Sequence, residues 1–317
     1  MDQQKSKTIY VTGAAGYIGS VVCKRLIEDG YKVIANDLLP IEHSYYTWKY
    51  TRKSFETFFD GVPPAIDAVV HLAAHSLLGP SVKHPFPYME NNAIKTFQML
   101  KHLRRYNIPI IFSSTAAVYG NNPKDNLPFV ETDIPNPCNP YGESKAAAET
   151  FIKASGLDYV IFRYFNVCGS YGDVGQKSDQ PHIMTALCRH MNDPVNKKFT
   201  LNGNDFNTPD GTCIRDYVHV RDIAEAHIQV LDKMLFTGKS IKEIYNLGRG
   251  VGYSNLEIIE LFGIDIQDIT IGPSRPGDPG ILFSNPDKFM DNFDYRFPHS
   301  SIENMIQSHK EYFNGKR

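Results

Sequence analysis

Short apolar runs rich in β-branched and aromatic residues punctuate the first half of the chain. Lys7–Val11, Tyr31–Asp37, Asp67–Ala74, Pro109–Thr115 and Tyr159–Tyr164 each read as a buried strand. Between them the apolar positions switch to helical spacing. Val21, Val22 and Leu26 share one side of a helix ending near Glu28. Further helices are expected over Tyr88–Tyr106 and over Tyr141–Ile152, the latter announced by Pro140. Strand and helix alternating in this way imply a parallel sheet. The expected fold is α/β, a Rossmann-like doubly wound parallel sheet with a smaller, loop-rich α/β C-terminal domain. After Phe165 the pattern becomes irregular, and Val218–Met234 reads as one more strand–helix unit returning to the first domain. The expected division is therefore 1–166 plus about 214–236 for the first domain, and about 167–213 with 237–317 for the second. No repeat or low-complexity tract is visible.

The junction between the first strand and the first helix carries Thr12-Gly13-Ala14-Ala15-Gly16-Tyr17-Ile18-Gly19. A pyrophosphate turn needs glycine there for three reasons. Gly13 allows the tight turn, Gly16 the close backbone approach, and Gly19 the contact of helix with strand, with the helix N-terminus facing the phosphates. An ordinary glycine-rich turn is the alternative. The second strand ends in Asp37, 18 residues beyond Gly19. That is near the spacing at which a carboxylate meets adenosine ribose hydroxyls. A carboxylate repels a 2′-phosphate, and Leu38, Leu39 and Pro40 follow with no arginine. NAD is expected rather than NADP; a plain strand-end aspartate is the alternative.

Tyr141 and Lys145 stand one helical turn apart in Tyr141-Gly142-Glu143-Ser144-Lys145. Residues i and i+4 share a helix face, so the ammonium can approach both the phenol and a bound ribose. A nearby cation lowers a phenol pKa, which suits a general acid/base. Tyr45 and Lys49 have the same spacing, but in an aromatic loop without that setting. Upstream, Ser113-Ser114-Thr115 puts hydroxyls at a strand's C-terminal end, where doubly wound sheets bind ligands. Thr115 is a candidate third member; a strand-end cap is its other reading.

Composition narrows the partners. The chain has 317 residues, 42% hydrophobic content and a formal net charge of −2, so no basic excess recruits nucleic acid. Five scattered cysteines, without Cys-x-x-Cys or His-Glu-x-x-His, indicate neither a disulfide framework nor a metal site. The first strand begins by about Lys7 and no apolar run approaches spanning length. The expectation is a cytoplasmic protein with no signal peptide and no membrane partner.

Taken together, the motifs resemble those of extended short-chain dehydrogenases/reductases, and within them the UDP-glucose 4-epimerase family. The resemblance covers nearly the whole chain. It includes Tyr17-Ile18-Gly19, His71-Leu72-Ala73-Ala74, Asn91-Asn92, the run from Ser113 to Gly120, the Tyr141 pentad, Arg163-Tyr164-Phe165-Asn166, the run from Asp210 to Val220, Tyr245-Asn246-Leu247-Gly248 and the run from Arg275 to Pro279. The Arg163 and Asp210 blocks are the most particular to the 4-epimerases.

The resemblance implies NAD-dependent 4-epimerisation of a UDP-hexose through a 4-ketosugar. Tyr141 would exchange the proton of the sugar 4-hydroxyl, with Lys145 lowering its pKa and Thr115 hydrogen-bonding near the reacting oxygen. Gly13, Gly16, Tyr17, Ile18, Gly19, Asp37, Leu72, Ala73, Ala74, Ser76, Asn91, Ser113, Tyr141, Lys145 and Phe165 would contact the cofactor. Thr115, Tyr141, Asn166, His182, Thr200, Leu201, Asn202, Arg215, Arg275, Asp278 and Leu282 would contact the UDP-sugar, the two arginines gripping its diphosphate. The family pairs helices into a homodimer, here Tyr88–Tyr106 and Tyr141–Ala154.

Two departures stand out. The stretch from Asp37 to His71 is short, and only Trp48–Arg52 replaces a strand that usually ends in an adenine-holding Asp–Ile pair; Thr51 is the candidate substitute. Ser76 stands where some members have lysine. A 4,6-dehydratase would need an acid pair where Ala116 and Ala117 stand. A 4-epimerase of another UDP-sugar (N-acetylhexosamine or pentose) stays open, and a non-catalytic NAD-binding regulator has no need of Tyr141, Lys145 and Thr115 together.

Overall fold

The computed structural model describes residues 7–40, 49–59, 65–120 and 128–315. Tyr45 and Trp48, weighed above, lie outside the described residues. The chain divides into two compact units. The first holds 1–119, 135–164 and 223–245; the second holds 120–134, 165–222 and 246–317.

In the first unit, β1 (Thr8–Thr12) leads through the glycine turn into α1 (Tyr17–Glu28) and β2 (Lys32–Asn36). β3 (Lys49–Thr51), β4 (Ala68–His71), α2 (Leu78–Lys83), α3 (Pro85–Tyr88), α4 (Lys95–Tyr106), β5 (Ile110–Thr115), α5 (Pro140–Ala154) and β6 (Tyr159–Tyr164) follow. Every strand from β1 to β6 is joined in one sheet, whose full order is β12-β6-β5-β4-β1-β2-β3, with β12 being Lys242–Leu247. The pairings of β3 with β2, β2 with β1, β1 with β4, β4 with β5 and β5 with β6 are all parallel. This is the doubly wound order, with its switch point between β1 and β4.

Alternation along the strands sorts the core. Tyr10, Ile34, Val69, Ile110, Phe112 and Ile161 pack with Met99, Leu100 and Leu103 of α4 and Ala148 and Ile152 of α5. Their neighbours Ile9, Val11, Val33, Ala35, Val70 and Val160 are equally buried and face the other way. On that side Arg25 of α1 meets Glu225 at 2.8 Å, and Phe162 of β6 meets the His227 ring at 5.0 Å. Each fully buried branched side chain contributes about 1.5–3 kcal/mol, so two-sided burial explains the near-continuous apolar runs.

The second unit is built from short strands and helices. β7 (Asn166–Cys168), β8 (Ser170–Tyr171), β9 (Val174–Gly175), α6 (Ile183–Asn192), β10 (Thr200–Asn202) and β11 (Ile214–His219) precede α7 (Val220–Phe236), inside which the division falls. After β12 come β13 (Gly252–Ser254), α8 (Asn255–Leu261), β14 (Thr270–Gly272), β15 (Ile281–Leu282), α9 (Asp287–Phe293) and α10 (Ile302–Gly315). β11 is the hub strand, pairing with β13, β15 and β7. Cys168, Leu187, Phe199, Leu201, Tyr217, Ile258 and Ile306 centre this unit's own core.

The expected doubly wound α/β sheet is what forms, with three local differences. The helix over 88–106 is interrupted by a π-helical turn at Met89–Ile94. There Asn91 donates to Asn92 at 3.1 Å, and Asn92 in turn bonds to other segments. Such turns occur where side chains are needed elsewhere. The stretch after Asp37 does form a third strand, three residues long, at the sheet edge. Finally, β11 groups with the second unit and β12 closes the large sheet, whereas the sequence put 214–222 with the first domain and 237–245 with the second. Strand periodicity marks a strand but not its partner. The segment 120–134 also groups with the second unit; Phe129 donates to the Phe283 carbonyl at 3.0 Å and accepts from Asn285 at 2.8 Å.

Candidate active site

The glycine turn sits at the carboxyl end of β1. Gly13 has φ +71°, a left-handed conformation natural to glycine, and a Cβ there would lie 2.7 Å from the Ala73 amide nitrogen. The loop after β4 thus passes against the turn and brings Leu72, Ala73 and Ala74 beside it. A Cβ on Gly19 would lie 2.0 Å from the Gly13 carbonyl oxygen, so α1 packs as closely as a glycine allows. Gly16 is exposed as the N-cap of α1, with Tyr17 and Ile18 opening the helix and no acidic residue in its first turn. A helix N-terminus without an acid in its first turn suits a phosphate.

Asp37 lies just past β2. Its Oδ2 accepts the Ala15 amide at 2.9 Å and its Oδ1 the Leu39 amide at 3.0 Å. The sequence showed no arginine after Asp37, but the end of β3 supplies one. Arg52 donates to the Leu38 carbonyl from Nε at 3.2 Å and Nη2 at 3.1 Å. Thr51 reaches the same corner through its backbone: its carbonyl accepts from the Asp37 amide and from the Asn36 side chain, both at 3.3 Å.

Two residues quoted only within motifs hold this end together. The Thr12 hydroxyl, fully buried, meets His71 Nδ1 at 2.7 Å and accepts the Leu72 and Ala73 amides, each at 3.2 Å. Asn92 accepts the His75 amide at 2.9 Å and donates to the His75 carbonyl at 2.9 Å and to the Ser144 hydroxyl at 3.0 Å. It therefore joins the β4 loop to α5 one residue before Lys145. Asn91 is half-buried beside it, and Ser76 is exposed.

Tyr141 and Lys145 both lie on α5, and Thr115 ends β5 in the same unit. Asn139 caps α5 by accepting the Gly142 amide at 2.9 Å, and Pro140 fits the first turn. Lys145 is buried and its Nζ donates to the Ser113 carbonyl at 2.7 Å, over the Phe112 ring at 4.7 Å. Burial pushes this ammonium down to about 7, while the Glu149 carboxylate pulls it up. Burial also raises the Tyr141 phenol above its ordinary value, and a hydrogen bond with the Thr115 hydroxyl pulls it back. In this structure the Thr115 hydroxyl supplies that lowering, while the Lys145 ammonium bonds to the Ser113 carbonyl. Thr115 also accepts the Ala117 amide at 3.1 Å. The Tyr88 ring stands edge-on to Tyr141 at 6.5 Å.

The second unit carries the remaining sequence-derived residues. Arg215 on β11 and Leu282 on β15 are register partners, both buried. Arg215 Nη2 donates to Asp278 at 2.5 Å and to the Pro279 carbonyl at 2.6 Å, and Nη1 to the Ile214 and Gly280 carbonyls at 2.9 and 3.3 Å. It clasps the loop bearing Asp278, while Arg275 on that loop is exposed. Asn166 on β7 pairs in register with Tyr217, and Phe165 is buried with its amide on the Leu247 carbonyl at 3.0 Å. His182 precedes α6. Neither of its buried ring nitrogens has a hydrogen-bond partner, and burial drives it down to about 4. A buried orphaned imidazole is costly unless a ligand completes it. Thr200 is exposed, Leu201 lies in the core, and Asn202 is half-buried on β10. Among the described residues no group of three or more His, Cys, Asp and Glu could hold a metal ion, and no helix is long and apolar enough to cross a membrane.

This arrangement fits a dinucleotide: a glycine turn with positive φ, a helix N-terminus with no acid in its first turn, a carboxylate at the end of β2 and a buried lysine. A family model described as the NAD dependent epimerase/dehydratase family matches residues 9–248. The chain belongs to this NAD-dependent epimerase/dehydratase family. A UDP-glucose 4-epimerase of Lactobacillus helveticus is 38% identical over 94% of each chain, and one of Halalkalibacterium halodurans 35% identical over 97% of each. Among solved structures, the UDP-glucose 4-epimerase of Bifidobacterium longum in complex with NAD+ and UDP matches with a TM-score of 0.85, 29% identity and 98% of each chain covered. The sequence places Ser114 in the strand-end hydroxyl run and Arg163 in a family block without a role for either, and Glu149, one turn after Lys145, was not singled out.

Proposed function

We propose that this protein interconverts the 4-epimers of a UDP-hexose, UDP-glucose and UDP-galactose, with NAD as a bound and regenerated cofactor. The observation that carries this reading is the meeting of the Tyr141 phenol with the Thr115 hydroxyl, one turn from a buried Lys145, in a chain of this family. NAD, held by the Gly13–Gly19 turn, Asp37 and Lys145, would supply a reversible hydride acceptor for sugar carbon 4.

The residues of the chain do the rest. Tyr141 removes the proton of the 4-hydroxyl as the ketone forms and gives it back when the ketone is reduced. Thr115 hydrogen-bonds the reacting oxygen. Lys145 holds the nicotinamide ribose and places positive charge near the phenolate. Asp37 takes the adenosine ribose hydroxyls, and the Gly13–Gly19 turn the pyrophosphate. In the second unit, Arg215 and Arg275 grip the substrate diphosphate, and Asp278, which accepts from Arg215, is a further substrate contact. Asn166, His182 and the Thr200–Asn202 strand contact uridine or sugar. The ketosugar turns over while the diphosphate stays held, so hydride returns to its opposite face.

The first unit is the NAD domain and the second the UDP-sugar domain in this reading. The protein works in the cytoplasm as a homodimer, paired through α3–α4 and α5, where Phe86, Ile94 and Phe97 are exposed apolar side chains. One observation favours a second reading. Leu282, in register with Arg215, is smaller than the tyrosine that the resemblance associates with exclusion of N-acetyl sugars, so UDP-N-acetylhexosamines are candidate co-substrates. Incubation with UDP-galactose and no added reductant tests the main reading; UDP-glucose is the expected product, and its absence with NAD supplied rejects it.

A further inference from the structure

Behind Lys145 lies a buried charged network outside the reaction as described so far. Glu149 follows Lys145 by one turn of α5, so both project from the same face. Its Oε1 accepts the Ser114 hydroxyl at 2.5 Å and Arg163 Nε at 3.1 Å, and its Oε2 accepts Arg163 Nη2 at 2.8 Å. Arg163 Nη1 donates to the Tyr119 hydroxyl at 3.0 Å, with the guanidinium 4.8 Å over that ring. Glu149 is 0% exposed and Arg163 1%. Ser113, next to Ser114, accepts Lys145 through its carbonyl. Two consecutive residues of β5 therefore bolt two residues of α5 one turn apart.

A buried ion pair is weak evidence for stability, since apolar replacements of similar volume are often as stable. The geometry points to a different use. We propose that Glu149, clamped by Ser114 and Arg163, is a positioning residue that fixes α5 against β5 and maintains the ammonium charge of Lys145. This rests on the role given to Lys145 above. Burial removes water from Lys145 and favours its neutral form; Glu149 is the opposite charge that counters this. Among the described residues, the other ionisable groups around Lys145 are the Tyr141 phenol on its own helix, Arg163 on β6 behind Glu149, the Tyr164 phenol on β6, which burial keeps protonated and which bonds to Ser113, and His71 at the end of β4. Burial, with the Lys145 charge second, drives that imidazole down to about 3, so it stays neutral. Removing Glu149's charge leaves Lys145 facing no anion among these groups.

The test reads Lys145 directly. The full-length protein, with and without NAD, is labelled with 13Cε-lysine, and the Lys145 signal is assigned by its loss in Lys145→Arg. Glu149→Gln and the double variant Glu149→Gln/Arg163→Met, which strands no buried charge, should lower the Lys145 midpoint by about one pH unit or more, a tenfold change in protonation equilibrium. Glu149→Asp should restore it. With UDP-galactose, kcat should fall about tenfold at unchanged KM in the Gln variants, because a positioned charge is lost while substrate contacts remain. Ser114→Ala, which leaves the ion pair whole, should lower kcat severalfold with KM unchanged. A parental Lys145 midpoint in a folded Gln variant overturns the proposal, and so does unchanged kcat in Ser114→Ala should both Gln variants fail to fold. A parent inert towards UDP-hexoses rejects the proposed function instead, while the Lys145 titration still decides this inference.

Discussion

Asp37 and Ala15, 22 residues apart, are joined by a 2.9 Å hydrogen bond from the Ala15 amide to the carboxylate. The residue expected to read the ribose thus also holds the glycine turn in shape. Hydrogen bonds to charged groups contribute about 1.5–3 kcal/mol, so the two roles separate by substitution. Asp37→Asn keeps an acceptor for Ala15 but loses the charge that repels a 2′-phosphate, and Arg52 remains beside the turn. Titration of this variant with NAD and NADP should show the preference for NAD reduced, with the thermal midpoint nearly unchanged. Asp37→Ala should lose both. An undiminished preference for NAD in Asp37→Asn counts against the carboxylate as the selector.

Gly19→Ala should fold poorly and bind NAD weakly. The new Cβ would meet the Gly13 carbonyl at 2.0 Å, and that oxygen belongs to backbone with nowhere to move. Overpacking of this kind costs about 1–3 kcal/mol or more. Thermal unfolding with and without NAD is the measurement; a variant equal to the parent in both would mean the α1–β1 contact is looser than described.

Tyr141→Phe should lose about 2–4 orders of magnitude in kcat, the usual range for a positioned acid/base, while still binding UDP. Epimerisation of UDP-galactose and calorimetric titration with UDP read the two halves. Near-parental turnover would remove Tyr141 from the acid/base role.

Leu282→Tyr should narrow sugar choice. Leu282 lies buried in register with Arg215, where a larger, hydroxylated side chain reduces space. Apolar pockets discriminate small groups by about 1–3 kcal/mol, so the parent should accept both UDP-glucose and UDP-GlcNAc, and the variant chiefly the former. A parent that ignores UDP-GlcNAc, or a variant as broad as the parent, shows that Leu282 is not the gate.

The second unit should weaken in mild acid. Burial pushes His182 and His219 down to about 4, from 6.5; burial followed by the charges of His182 and His219 pushes His309 to about 3. Unfolded, these rings take protons near pH 6.5; folded, they resist until near 4 or below. The unfolded state therefore binds more protons in that window, and stability present above pH 6.5 is lost as pH falls towards 4. Between pH 7.5 and pH 5 each ring accounts for a loss on the order of 2 kcal/mol. Urea unfolding at pH 7.5 and pH 5 should show the loss, and His219→Gln should reduce it. Equal stability at both pH values would contradict the buried neutral rings.

The glycine turn, Asp37, Thr115 and the Tyr141–Lys145 pair were legible because each depends on residue type at fixed local spacing. The strand–helix alternation through β6 was legible for the same reason: strands buried on both faces leave continuous apolar runs. Reading became harder wherever distant segments chose one another. Nothing local told that β11 would pair with β7, β13 and β15, or that β12 would close the large sheet. Arg52 was invisible as a neighbour of Asp37 because it arrives from the next strand.

By itself, then, the sequence determined what short-range geometry enforces: a glycine turn between strand and helix, an acid at the end of the second strand, and a phenol and an ammonium one turn apart on a helix. Tertiary structure alone decided how those groups are tuned. Burial takes Lys145 down to about 7, the Thr115 hydroxyl offsets part of the rise that burial gives the Tyr141 phenol, and Ser114, Glu149 and Arg163 meet from β5, α5 and β6. The reason is physical: spacing along a chain fixes which side chains share a face, but desolvation and charge pairing depend on what the other elements bring against that face.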